Sequence, residues 1–158
     1  MFQASGPVQS AYDRYAPAGY AGMPATESGW DVDTRIFEDV SPHVGIGWGL
    51  AVSQGAGDRG AVVGGSAFVG ITRSNITQST HEFTDKYSNG DNLPVAIRGD
   101  WYVSAEAVVV AGEAVYYNTT TGVIGHSGGT AILGARWMTS TTGANQLAVV
   151  RLGDASKA

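Results

Sequence analysis

The chain has 158 residues and no cysteine, the length of one domain able to bury roughly 70% of its unfolded surface, with no disulfide and no thiolate-bound metal. Fourteen acidic against nine basic residues give a net charge of -5, which argues against a groove built to neutralise nucleic-acid phosphates. Twenty-three glycines beside 15% charged residues, with Lys86 and Lys157 the only lysines, suit short strands and tight turns better than helices.

The first element in chain order is an extended arm, residues 1–42. Its Gly, Pro and Ala residues are interrupted by Phe2, Tyr12, Tyr15, Tyr20, Trp30 and Phe37, without helical or strand period. Disordered segments are poor in aromatics, so this one is expected to order against a surface: its own domain, a neighbouring subunit or a partner. Tyr12, Tyr15, Tyr20, Trp30, Arg35 and Phe37 are the candidate partner-binding residues. The arm opens on "MFQASGPVQSAYDRY", which has neither a basic n-region nor an apolar h-region. The longest apolar run, residues 107–111, is too short to cross a bilayer. The expectation is a soluble protein made in a cytoplasm, without a membrane partner.

Residues 43–158 are expected to form one antiparallel all-β domain, a sandwich or barrel of jelly-roll-like kind. "VGIGWGLAVSQ" alternates Val44, Ile46, Trp48, Leu50 and Val52 against glycines at 45, 47 and 49, a small-residue face suited to close backbone approach. "AVVGGSAFVGITRS" predicts a strand, and "NLPVAIRG" a short one in which Pro94 marks an edge or a start. "DWYVSAEAVVV", "EAVYYN", "TGVIGHS", "TAILGARWM" and "ANQLAVVRL" predict further strands at short intervals. The echo between "NGDNLPVAIRGDWYV" and "AGEAVYYNTTTGVIG" reads as two hairpins. The expected core includes Trp101, Ala105, Val109, Ile132, Leu147 and Val149.

One stretch imitates an active site. Gly125-His126-Ser127-Gly128-Gly129 matches G-x-S-x-G, yet no histidine follows it and a strand pattern stands where a helix is required. The opposite order, His43 or His81 before Asp85, Asp91 or Asp100, belongs to a two-barrel fold longer than this chain. The expectation is a glycine-rich turn between antiparallel strands, with no catalytic residue. His43, His81 and His126 lack ligand spacing. "DVDTRIFED" places Arg35 and Ile36 at the fifth and sixth positions, the sixth being where a calcium loop needs glycine. No metal and no cofactor are expected. The acids there should be solvated or pair with Arg35 and a partner's arginines.

The ordered succession "FVGITR", "YSNGDNLPVAIRGDWYVSAEAVVVAGEAVYYN", "TTGVIG" and "AILGARWMTSTTGANQLAVVRL" resembles the tailed-phage structural cement proteins of the Gp24-like kind. The resemblance covers roughly residues 43–152 and carries no catalytic site. It implies a β-rich virion protein on the outer surface of the capsid. It also implies that the protein binds the major capsid protein and reinforces the shell as a homo-oligomer, a trimer ahead of a dimer. A surface rich in Gly, Ser and Thr with few lysines fits contacts more apolar and hydrogen-bonded than ionic. The rival reading is a tail or fibre β-module or a carbohydrate-binding virion protein, for which Trp48, Trp101 and Trp137 would have to share an open face.

Overall fold

A computed structural model describes residues 19–39, 44–75 and 86–153. Among them are nine strands and no helix: β1 (Asp31–Phe37), β2 (Ala51–Gln54), β3 (Gly60–Val63), β4 (Phe68–Thr72), β5 (Asn92–Ala105), β6 (Ala114–Tyr117), β7 (Ile124–Gly125), β8 (Thr130–Trp137) and β9 (Gln146–Leu152). The chain is all-β and barrel-like, as its composition and turn spacing predict.

The strands close into two rings that share β5. One runs β1-β3-β2-β4-β5 and returns to β1; the other runs β5-β7-β6-β8-β9 and returns to β5. Closure removes most open sheet edges. The β1–β3 and β5–β7 pairings are parallel, a departure from a purely antiparallel domain. The 14 residues of β5 make this sharing feasible: its first half pairs with β1 and β4, and its second half, from Gly99, with β9. The Gly99-Asp100 step predicts a break between two strands, "NLPVAIRG" and "DWYVSAEAVVV". The chain does bend there, but it does not turn back. Ile97 is the extra residue of a bulge opposite Asp31 and Val32, and Gly99 holds a left-handed φ of 102°. A Cβ on Gly99 would stand 2.4 Å from Cβ of Trp30, so both backbone and packing require glycine here.

Two buried clusters fill the interior, and the second also takes in Ala51, Ile71 and Ala96 of the first ring. Phe37, Ile46, Val52, Ala61, Tyr87, Leu93 and Val95 fill the first. The second is larger: it centres on Trp101, Val103, Tyr117, Ile124, Trp137 and Val150, with Trp30, Val32 and Phe68 packed against it.

Four sequence expectations change. "VGIGWGLAVSQ" is a strand only over its last four residues, because Gly45 and Gly49 take φ of 73° and 72°, which extended backbone excludes. Ile46 keeps a single bridge to Tyr87, and Gly49 makes the expected close approach, its missing Cβ falling 2.9 Å from that of Ala21. "AVVGGSAFVGITRS" is two strands joined through Gly64 and Gly65. Of the two hairpins read from the echo, only β6–β7 exists. In β9 the buried residues are Ala148, Val150 and Leu152, whereas Leu147 is 38% exposed and Val149 half-buried. The partner strand decides this: Val150 stands opposite Trp101 and Ala148 opposite Val103, which point inward. Trp101, Ala105, Val109 and Ile132 are buried as expected.

Candidate partner-facing surface

Of the six candidate partner-binding residues, Tyr12 and Tyr15 lie outside the described residues. The other four are drawn onto the domain to different degrees. Residues 22–25 run beside β5: Gly22 N donates to the Tyr102 carbonyl, Tyr102 N to that of Met23, and Ala25 N to that of Asp100. This tether fixes Trp30 edge-on against Trp101, with ring centroids 5.5 Å apart, and the Arg73 guanidinium sits 5.3 Å above the Trp30 ring.

Arg35 and Phe37 belong to β1, paired with β5 along one edge and with β3 near its end. Phe37 is 1% exposed and is a core residue with no surface to offer. Arg35 is clamped, its Nε donating to Asp33 at 3.0 Å and its Nη1 to the Gln54 side chain at 2.7 Å. Burial acts to raise the Asp33 pKa, but the hydrogen bonds and charges of Arg35 and Arg59 outweigh it and hold this carboxyl below its usual range. Tyr20 differs: it stacks at a tilt on Trp48, centroids 5.9 Å apart, and stays 39% exposed.

The acids of "DVDTRIFED" are used one at a time. Asp31 faces Arg98 at 3.4 Å, Glu38 accepts the backbone N–H groups of Ala56 and Gly57, and Asp39 accepts that of Gly45. The pairing partners are the chain's own arginines and turn amides, which the sequence signalled only for Arg35.

Ser127 is exposed in a loop whose Gly128 and Gly129 take φ of 76° and 75°. The turn chemistry is as expected, but the connection differs. β7 and β8 both run antiparallel to β6, on opposite edges of it, so the loop crosses over β6 between two strands that are parallel to each other. Gly129 passes so close that a Cβ would overlap the Tyr117 carbonyl oxygen. Glu106, Tyr116 and Asn118 line the adjoining cavity of about 180 Å³. The strand β8 follows directly, where a nucleophile elbow has a helix. His43 and His81 lie outside the described residues.

Trp101 and Trp137 are both fully buried, so no open aromatic platform forms around them. The outer surface carries scattered apolar side chains instead, including Leu133 at 82% exposure and Val44 and Val110 at 53%. Sequence reasoning missed one further group: Arg136, Met138 and Arg151 share the outer side of the β8–β9 junction. The alternation within "GARWM" was the available signal, since a buried Trp137 forces both its neighbours outward.

The chain whose described residues form these two fused rings matches a protein family. The family model for structural cement proteins (E217 gp24/Pam3 gp6) matches residues 8–153. The chain belongs to the structural cement protein family. It is a capsid cement, a structural protein of the phage virion. A solved structure titled "The capsid of Myoviridae Phage XM1" contains a chain similar in fold, with a TM-score of 0.69 and 16% identity. That match covers 92% of this cement protein and 97% of the other chain. The head fiber gp8.5 N base of bacteriophage phi29 is more distant, with a TM-score of 0.45 and 12% identity over 79% of this chain and 95% of that one. No curated protein matches the chain.

Proposed function

We propose that this cement protein binds the outer surface of the shell formed by the major capsid protein, as a homo-oligomer with a trimer ahead of a dimer. On this reading it strengthens the shell by contact alone. The observation that carries it is the anchored root of the N-terminal segment. Residues 22–25 are hydrogen-bonded to β5, and the half-exposed Tyr20 on Trp48 stands where residues 1–18 join the domain. Tyr12 and Tyr15 then supply aromatic anchors to a neighbour from a fixed point, with Tyr20 extending the same surface. Trp30, Arg35 and Phe37 serve the domain itself by holding that root in place. The fibre or carbohydrate-binding alternative loses its support, because Trp101 and Trp137 are interior.

Deleting residues 1–18 tests the anchor. The thermal midpoint of the domain is expected to stay near that of the full chain, since the hydrogen bonds of residues 22–25 remain. Cosedimentation with shells lacking the cement protein should weaken by about 2 kcal/mol or more per lost anchor, roughly thirtyfold in Kd. Undiminished attachment of the truncated protein would remove the arm from the interface.

Contact alone also means that Ser127 has no chemical task. Ser127→Ala is expected to change stability by no more than about 0.5 kcal/mol, as at ordinary surface sites, and to leave shell binding intact. Covalent capture of Ser127 by a fluorophosphonate probe is the result that would overturn this.

A further inference from the structure

Two arginines oppose each other on the outer side of the second ring. Arg136 of β8 and Arg151 of β9 are Cα partners in an antiparallel pair, so their side chains leave from the same face and their charges repel. Arg151 has an answering charge on its other side: Asp100 of β5 is its opposite number, and accepts from Nε at 2.8 Å and from Nη2 at 3.1 Å. Arg136 has none. Among the described arginines, 35, 59, 98 and 151 each meet a carboxylate and Arg73 lies over Trp30, whereas the exposed Arg136 has no ionic, hydrogen-bonding or ring partner.

The space around it is shaped. An open dish of about 380 Å³ is lined by Ala111, Gly112, Arg136, Trp137, Met138 and Arg151. Met138 is 37% exposed beside the two guanidinium groups. A protein of net charge -5 therefore keeps an unanswered cation, beside a like charge and a flexible apolar side chain, on a rigid strand pair.

We propose that this dish receives an acidic segment of the shell protein, an Asp or Glu carboxylate on Arg136 with an adjacent apolar residue on Met138. The inference rests on the shell-binding reading above and makes this site a local ionic exception among contacts that are mostly apolar. A guanidinium offers a carboxylate two parallel N–H donors, and the apolar wall beside it shields the pair from water once a partner covers the dish. The dish is too open to retain a free small anion, whereas a polypeptide brings its own apolar surface to cover it. Nucleic acid would need a tract of cations, whereas Arg136 is the one unpaired arginine among the described residues.

Arg136→Glu and Arg136→Ala separate this role from a structural one. Glutamate at 136 faces Arg151 and turns a repulsive cross-strand pair into an attractive one, so the free variant should melt at the parent temperature or above it. Its apparent Kd for shells lacking the cement protein should nevertheless weaken about tenfold or more, with Arg136→Ala intermediate and its gap from the parent narrowing as salt is raised. If the parent binds shells and Arg136→Glu binds them equally well, the dish is not a docking point while the shell-binding reading stands. A change of oligomeric state with shell affinity unaltered would assign the dish to a second copy of this chain and overturn the acidic-segment proposal. Failure of the parent itself to bind shells would bring down both readings.

Discussion

Replacing Trp101 by alanine is expected to cost about 3–5 kcal/mol, a large part of the 5–15 kcal/mol that holds a domain folded. Trp101 is fully buried just past the bend at Gly99, opposite Val150 of β9 and bridged on its other side to Pro24. Its indole N–H donates to the Arg98 carbonyl at 2.9 Å, and its ring carries the edge of Trp30. Truncation therefore opens a cavity where the tethered N-terminal root meets the second ring, and neither side can collapse into it while β5 is held by β9 on one edge and by residues 22–25 on the other. Leu147→Ala is the control in the same ring. Because Leu147 is 38% exposed on the opposite face of β9, its loss should cost less than about 1 kcal/mol, within the range of surface substitutions. Chemical denaturation followed by circular dichroism measures both. Equal losses at the two positions would mean that β9 turns Leu147 inward and pairs with β5 in another register.

Saturating shells with the cement protein is expected to raise the temperature or force at which they rupture, with the size of the gain set by oligomerisation. If each protomer of the proposed oligomer touches a different shell subunit, the first contact places the others at an effective concentration of roughly mM. Weak individual contacts then combine into an avidity gain of about 10²–10⁴-fold. A protein that binds only the assembled lattice stabilises it by RT ln(1 + [L]/Kd), about 2.7 kcal/mol per site at a hundredfold excess over Kd. The fold suits the task. Two closed rings leave little open strand edge to rearrange, and a rigid module spends less binding free energy on ordering itself. Calorimetry of shells with the oligomer, and with protein diluted until sedimentation shows monomers, checks the expectation. Identical rupture points with and without saturating protein would refute reinforcement, and equal protection by monomers would refute the avidity account.

The sequence by itself determined the fold class, most of the strand positions and the family. Each of these rests on local chemistry: alternation of apolar residues, glycine-marked turns, and an ordered succession of short motifs from "FVGITR" to "LAVVRL". It also showed that Gly128 and Gly129 serve a turn, because a glycine pair before a β-rich run carries its own backbone reason.

What tertiary structure decided was every choice in which two local readings were nearly equal in energy. Leu147 and Val149 are as apolar as Ala148 and Val150, so only pairing with β5 selects the inward set. The Gly99-Asp100 step reads as a turn until the long strand is seen to bend at Ile97 and continue, since a bulge and a hairpin use the same residues. Arg35, Trp30 and Phe37 read as partner anchors because an aromatic-rich segment without period has no local signal for where it packs; the contacts that draw Arg35 and Trp30 onto the domain lie 19 and 71 positions away, at Gln54 and Trp101. Arg136 was invisible for the complementary reason. An unpaired charge is defined by which carboxylates the fold fails to bring near it, and that depends on strand order, which no window of sequence contains.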